Sequence, residues 1–261
     1  MNKKHNFDKW SPYSVYILGF LWADGYLRKK DSGIVLTIVE EDGIKIKPII
    51  KKTGEWSFRY IQPKNSERRQ IRMQLYDKAL KEFLLRYRYD VKSLVSPELL
   101  LSEIPDKYLH YWWRGFFDGD GSNNANGIEF YGHFEQDWSF MNILSNKLGG
   151  IVFKYKQRIR GYGRSSFINI RHKNSIQKFL LYINSGEKFG LDRKHHSKPE
   201  RKKFSTYRGV FKARHGRVRA QFKMNDVMYF LGNFSSEIEA AKAYDKKAKE
   251  MLGDRAVLNF F

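Results

Sequence analysis

Two stretches of the chain stay apolar for about two helical turns and then switch abruptly to acid and glycine. The later one runs Tyr111-Trp112-Trp113-Arg114-Gly115-Phe116-Phe117-Asp118-Gly119-Asp120-Gly121. Its length suits a buried helix and is too short to cross a bilayer. Gly115 and Gly119 fall one turn apart on the same face. Each costs a helix about 1 kcal/mol relative to alanine, so the pattern makes sense where a second backbone must come close. Asp120 falls at the helix C-terminus, where the macrodipole disfavours an anion. Stability does not account for Gly119-Asp120-Gly121, which therefore points to function.

The earlier stretch, Ile17-Leu18-Gly19-Phe20-Leu21-Trp22-Ala23-Asp24-Gly25, repeats this pattern. Gly19 answers Gly115, Ala23 answers Gly119 and Asp24 answers Asp120, an offset of 96 residues. The offset persists downstream, Gly54 to Tyr60 matching Gly149 to Tyr155, which marks a duplicated unit. If the faces carrying Gly19, Ala23, Gly115 and Gly119 pack together, both aspartates reach the same end of one helix pair.

Around these helices the pattern predicts an α+β fold. Ser11-Pro12 reads as a helix start with proline in the first turn, and Tyr13 to Ala23 as the first helix. Strands are expected over 26–30 and 34–39 about Asp31-Ser32-Gly33, then a short helix over 42–52 weakened by Gly43 and Pro48. Strands over 56–62 and 70–76 and a helix over 77–89 complete the first unit. In the fourth strand Ile71, Met73 and Leu75 alternate with Gln70, Arg72 and Gln74. The second unit repeats this, with Lys154, Lys156 and Arg158 opposing Phe153 and Tyr155, and closes with a helix over 175–184. Such a sheet would pack its apolar side under helices and present Arg59, Arg72, the glutamines and the second-unit lysines outward. Those side chains suit phosphates and major-groove base edges; a solvated sheet face is the alternative.

Composition narrows the partners. The 261 residues hold 49 Lys+Arg against 28 Asp+Glu, a net charge of +21, which favours a polyanion and salt-dependent binding. No amphipathic basic helix or lipidation signal points to a membrane. Zero cysteine excludes disulfides and thiolate zinc sites and fits a reducing compartment. No secretory apolar core follows the N-terminus, so an intracellular protein is expected. The run from His195 to Lys203 is basic, polar and contains Pro199, and reads as a linker. His195-His196 lacks a suitably spaced third ligand, and the seven histidines read as surface residues.

Leu18 to Gly25 and Gly115 to Gly121 resemble the two signature helices of single-chain LAGLIDADG homing endonucleases, over roughly the first two hundred residues. The first copy departs by carrying Trp22 where the family often has an acid. The resemblance implies two αββαββα halves sharing a central helix pair, spanning 1–100 and 101–194, with 195–204 as linker. It implies Asp24 and Asp120 as catalytic ligands of Mg2+, or of another hard divalent cation such as Mn2+ or Ca2+. Lys92 and Lys194 resemble the lysines that lie beside each scissile phosphate, Lys194 only if the second half carries a six-residue insertion. Asp42 and, in the second half, Gln136 or Asp137 are candidates for holding the hydrolytic water. One cut per strand of a long asymmetric DNA target by a monomer would follow.

Residues 205–261 form a different module. Tyr207-Arg208-Gly209-Val210, Phe230-Leu231-Gly232-Asn233-Phe234, Ala240-Ala241-Lys242-Ala243-Tyr244-Asp245 and Ala256-Val257-Leu258-Asn259-Phe260 resemble, in order, the landmarks of APETALA2/ethylene-response-factor DNA-binding domains. Strands over 217–223 and 228–234 and a helix opened by a Ser236/Glu239 capping box predict a three-stranded antiparallel sheet on one helix. The resemblance implies DNA contact through Arg208, Arg214, Arg217, Arg219 and Gln221.

The expected activity is site-specific double-stranded DNA cleavage. An intron RNA-splicing maturase, or a transcription regulator that binds without cutting, uses the same fold and is the alternative. An excised intein is not expected, since Met1 is no splicing nucleophile and the chain ends in Phe261. An intron-encoded or a free-standing origin fits equally.

Overall fold

The computed structural model describes residues 5–64, 66–124, 127–160, 163–195, 205–225 and 227–260. Contacts divide the chain into two compact units, Met1–Lys198 and Pro199–Phe261.

In the first unit, helix α1 (Pro12–Asp24) starts where Ser11 and Ser14 cap each other, side chain to backbone, with proline in the first turn. Every residue from Ser14 to Trp22 is buried, as befits a helix that is apolar all round. Strands β1 (Tyr26–Leu27) and β2 (Gly33–Val39), helix α2 (Glu40–Ile50), strands β3 (Ser57–Ile61) and β4 (Gln70–Tyr76) and helix α3 (Lys78–Arg86) follow. A short helix, α4 (Glu98–Glu103), leads into α5 (Asp106–Asp120), the second signature helix. Then come β5 (Gly121–Asn124), β6 (Gly127–Gly132), α6 (Met141–Lys147), β7 (Lys154–Arg160), β8 (Gly163–Ile170), α7 (Lys173–Ile183) and the single turn α8 (Asp192–His195).

Both sheets are antiparallel and share one topology, β1-β2-β4-β3 and β5-β6-β8-β7. Their inner faces are apolar: Ile34, Leu36, Ile38, Ile71, Met73 and Leu75 in one, Ile128, Phe130, Ile168 and Ile170 in the other. All belong to one core around α1 and α5. On the α5 side the core is aromatic, Trp112 stacking on Phe116 at 5.2 Å and Phe117 meeting Phe179 edge-on at 5.1 Å.

Several local expectations are corrected. The first strand stops at Leu27. Helix α2 starts two residues earlier than expected and carries Pro48 in its interior. That proline cannot bond the carbonyl of Ile44, and Ile44 sits exposed, where water can take the lone acceptor. Of the predicted apolar face, Phe153 lies just before β7 and packs on the core, whereas Tyr155 is 52% exposed. An edge strand bonded only to β8 and exposed on both faces is under no packing constraint to enforce the alternation. The second sheet's polar face also carries an acid. Glu129 stands in register with Asn169, which faces Lys154. Its carboxylate accepts from Asn124 (2.9 Å) and Tyr131 (2.6 Å).

The second unit is a three-stranded antiparallel sheet, β9 (Val210–Lys212), β10 (Val218–Met224) and β11 (Val227–Phe234), in order β11-β10-β9. It packs on helix α9 (Glu237–Leu252), with Val218 and Ala220 against Ala240 and Ala241. Its sequence landmarks touch one another. Asn259 bonds the backbone of Arg208 through both side-chain atoms, and Asp245 accepts from Asn259 and Phe260. Gly209 has φ +76°, and a Cβ there would stand 1.9 Å from the Tyr244 ring; only glycine fits both conditions.

Candidate functional site

The site begins with the contact between α1 and α5. A Cβ on Gly19 would stand 2.1 Å from the Trp112 carbonyl oxygen, and one on Gly115 would stand 1.9 Å from that of Tyr16. Further along, a Cβ on Gly119 would lie 2.3 Å from the Ala23 Cβ and 3.2 Å from Asp24 Oδ2. The first helix's carboxylate therefore lies against the last turn of the second, next to Asp120. Gly25 and Gly121 follow the two acids with ordinary negative φ values. What demands glycine there is room: a Cβ would strike the Tyr89 hydroxyl in one case and the Phe117 ring in the other.

Both predicted lysines come to these helix ends. Lys92 Nζ donates to the carbonyls of Leu21 (3.1 Å), Trp22 (2.5 Å) and Ala23. Lys194 Nζ donates to Phe117 (3.4 Å), Asp118 (2.6 Å) and Gly119 (3.1 Å). The acceptors are the same three positions, 96 residues apart. Lys194 is thus the structural counterpart of Lys92, and the six-residue insertion precedes it. An ammonium has three donors, and these carbonyls engage all of them. Each lysine is a fixed positive charge at a helix C-terminus, where the dipole favours it.

The four charges shift one another. Burial, reinforced by the like charge of Asp24, pushes Asp120 up to about 7, against the pull of Lys92 and Lys194. Asp24 is raised as well, by burial first, with both lysines opposing. Burial lowers Lys92 to about 8 although Asp120 and Asp24 favour its charge, and it lowers Lys194 too. Two carboxylates this close resist ionising together, although Asp24 is exposed and Asp120 only half-buried. Beside them opens a cleft of about 300 Å³ lined by Asp120, Lys92, Tyr131, His133 and Gln136.

The donor set fits a hard divalent cation that keeps part of its water. Mg2+ typically takes one or two carboxylates and completes its shell with water and substrate phosphate oxygens. Among the described residues no cluster of three or more His, Cys, Asp or Glu side chains could hold a metal. A closed protein cage is therefore not on offer, whereas a two-carboxylate site is.

Gln136 lines the cleft, but Asp42 does not have the expected freedom. Its carboxylate is held by Arg193, Nε to Oδ1 at 3.0 Å and Nη2 to Oδ2 at 2.5 Å, so a role in holding water is already competed for. His195 is no linker or surface residue. It is buried, with Nε2 2.6 Å from Asp118 Oδ1; the remainder of the predicted linker, 196–204, lies outside the described residues. Asp118 also accepts from the Tyr16 hydroxyl (2.6 Å) and the Leu191 amide (2.9 Å). Arg114, 1% exposed, ties down the next loop through the carbonyls of Ile183, Ser185 and Glu187. Sequence reasoning missed this network. Its one signal was the mismatch between copies, Trp22 where the second copy has Asp118.

No protein-family model matches the chain. Among solved structures the chain is similar to variants of the homing endonuclease I-DmoI, at 16% identity over 67% of this chain and 90% of that one, TM-score 0.47. It is similar to I-DmoI in complex with DNA and Ca, at 15% identity over 67% and 90%, TM-score 0.46. It is also similar to full-length DUF199/WhiA from Thermatoga maritima, at 17% identity over 66% and 56%, TM-score 0.44. At such identities no residue can be matched across, and the site stands on this chain's own atoms.

The candidate DNA-facing residues occupy the outer sheet faces. Arg72 sits between Arg59 and Thr37, Gln74 between Ser57 and Val35, Gln70 between Ile61 and Val39. Lys154, Lys156 and Arg158 are exposed on β7. In the second unit Arg219 and Gln221 lie on the sheet face away from α9, while Arg208, Arg214 and Arg217 are exposed in the loops at either end of β9.

Proposed function

We propose that the chain is a divalent-metal-dependent, site-specific DNA endonuclease that cuts one phosphodiester in each strand. The observation that carries this reading is Asp24 Oδ2 lying against Gly119, beside Asp120, with a lysine on each helix end. Such an arrangement is poor for stability, since it gathers two acids at helix C-termini and raises both their pKa values. A phosphodiester hydrolase needs it.

Asp24 and Asp120 would hold the cation, which when bound supplies charge neutralisation at the phosphate and a more acidic water. Lys92 and Lys194 contribute fixed positive charge where negative charge develops in each half. Gln136, at the cleft wall, would hydrogen-bond a water. Arg59, Gln70, Arg72 and Gln74 on one sheet and Lys154, Lys156 and Arg158 on the other give phosphate and base contacts. The tail module, which resembles APETALA2-type domains, adds Arg208, Arg214, Arg217, Arg219 and Gln221. A monomer with two unlike halves would read an asymmetric target.

A plasmid library with randomised inserts, incubated with the protein and Mg2+, tests this reading. Linear product with a shared sequence at the cut ends is expected, and loss of all cutting with EDTA. A protein that cleaves no member would leave the non-cleaving alternative, a maturase or a transcription regulator. One observation favours that alternative: both lysines already spend their donors on helix carbonyls.

A further inference from the structure

The two lysines reach equivalent carbonyls, yet their backbones are anchored by different chemistry. Three residues before Lys92, the Tyr89 hydroxyl donates to the Leu21 carbonyl at 2.5 Å. The Tyr89 ring meets Trp22 edge-on, centroids 5.4 Å apart at 77°. Three residues before Lys194 stands Leu191, whose amide donates to Asp118 Oδ2 at 2.9 Å. One residue after Lys194, His195 meets Asp118 Oδ1 at 2.6 Å. Asp118 is the counterpart of Trp22 at the same offset of 96 residues. Tyr16 steadies its carboxylate, and Asn184 and Asn123 hold the carbonyls of His195 and Lys194 at 3.1 and 3.0 Å.

We propose that Asp118 and His195 form a polar lock that positions Lys194, and that Trp22 and Tyr89 are its aromatic equivalent for Lys92. The proposal rests on the nuclease reading and deepens it: two half-sites share one catalytic geometry but hold it by separate means. Lysine has a long flexible stem, so its ammonium stays on the helix end only if the backbone beneath it is fixed. A buried carboxylate with three hydrogen-bond partners gives strong, directional bonds. An aromatic pair gives contact area with looser direction. Asp118 and His195 are positioning residues; neither is assigned contact with substrate.

The test measures each strand separately, on a supercoiled plasmid carrying a site that the full-length wild-type protein cuts. Removing the lock with His195→Leu should slow one strand by roughly 10- to 100-fold, the usual scale for losing a supporting partner. Nicked circles then accumulate. Combined with Lys194→Met it should be no slower than Lys194→Met alone. His195→Gln, which keeps a donor for Asp118, should recover most of the rate, and Tyr89→Leu should slow the opposite strand. Hydrogen exchange gives a readout independent of cutting: in His195→Leu the amides of 191–195 should exchange faster while those of 89–92 keep their protection. Equal slowing of both strands, or unchanged exchange over 191–195, overturns the proposal and leaves the nuclease reading standing. A wild-type protein that nicks neither strand of any site overturns the nuclease reading, and the assignment to catalysis with it. If His195→Leu fails to fold, Asp118→Asn, which weakens the same lock from its other side, carries the same comparison.

Discussion

Gly19 lies so close to Trp112 that a Cβ added to it would stand 2.1 Å from the Trp112 carbonyl oxygen. The contact is returned by Gly115, whose added Cβ would stand 1.9 Å from the carbonyl oxygen of Tyr16. Each glycine meets the residue equivalent to the one that meets its partner. The approach is backbone to backbone, so neither side can yield by turning a side chain.

Helix propensity alone predicts that Gly115→Ala stabilises α5 by about 1 kcal/mol. The clash predicts the opposite sign, since overpacking costs about 1–3 kcal/mol or more. We expect net destabilisation of about 2 kcal/mol for Gly115→Ala and for Gly19→Ala, read from the midpoint of urea unfolding. An unchanged or raised midpoint in both would show that the helices can separate at no cost.

Asp24→Asn and Asp120→Asn should each abolish double-strand cutting. Because burial and then the like charge of Asp24 disfavour the Asp120 carboxylate, Asp120→Asn should also raise the melting temperature of the metal-free protein, on the order of 2–4 °C. Activity assays and calorimetry read the two effects on one preparation. Retained cutting in either variant would remove that residue from the site.

The same acid sets a pH dependence. Its folded pKa is raised to about 7, above the unfolded value, so between the ordinary carboxylate range and about 7 the folded state binds more protons. Stability from this group then falls as pH rises through that window. Between pH 5.5 and 7.5 the metal-free protein should lose stability relative to Asp120→Asn, and Mg2+ should stabilise it more at the higher pH. Thermal melts with and without Mg2+ measure this, and an Mg2+ effect equal at both pH values would contradict it.

Deleting residues 204–261 should weaken DNA binding and flatten its salt slope by about 0.9 for each phosphate that the tail neutralises. The position of the cut should not move. Arg219→Ala and Gln221→Ala in the full chain should weaken binding without altering the cut. Unchanged affinity of the truncated protein would give the tail another purpose.

Much of the architecture was legible in the residues because it depends on short-range patterns. The glycine and alanine spacing of Gly19, Ala23, Gly115 and Gly119 is a helical period, and it named the faces that meet. Alternation in β4 marked its inner face because helices press on that sheet, whereas β7 kept the same alternation as an edge strand exposed on both faces. Two acids followed by glycine at equal offsets showed where charge would gather. What the chain order could not determine was which distant groups satisfy one another. Asp118, Tyr16, Leu191 and His195 span 179 residues between Tyr16 and His195, and no local rule links them. Arg193 took Asp42 for the same reason: a buried carboxylate binds whatever donor the fold delivers, and only tertiary packing decides that delivery. The register of Lys194 was likewise ambiguous along the chain and became definite once three carbonyl oxygens surrounded its ammonium.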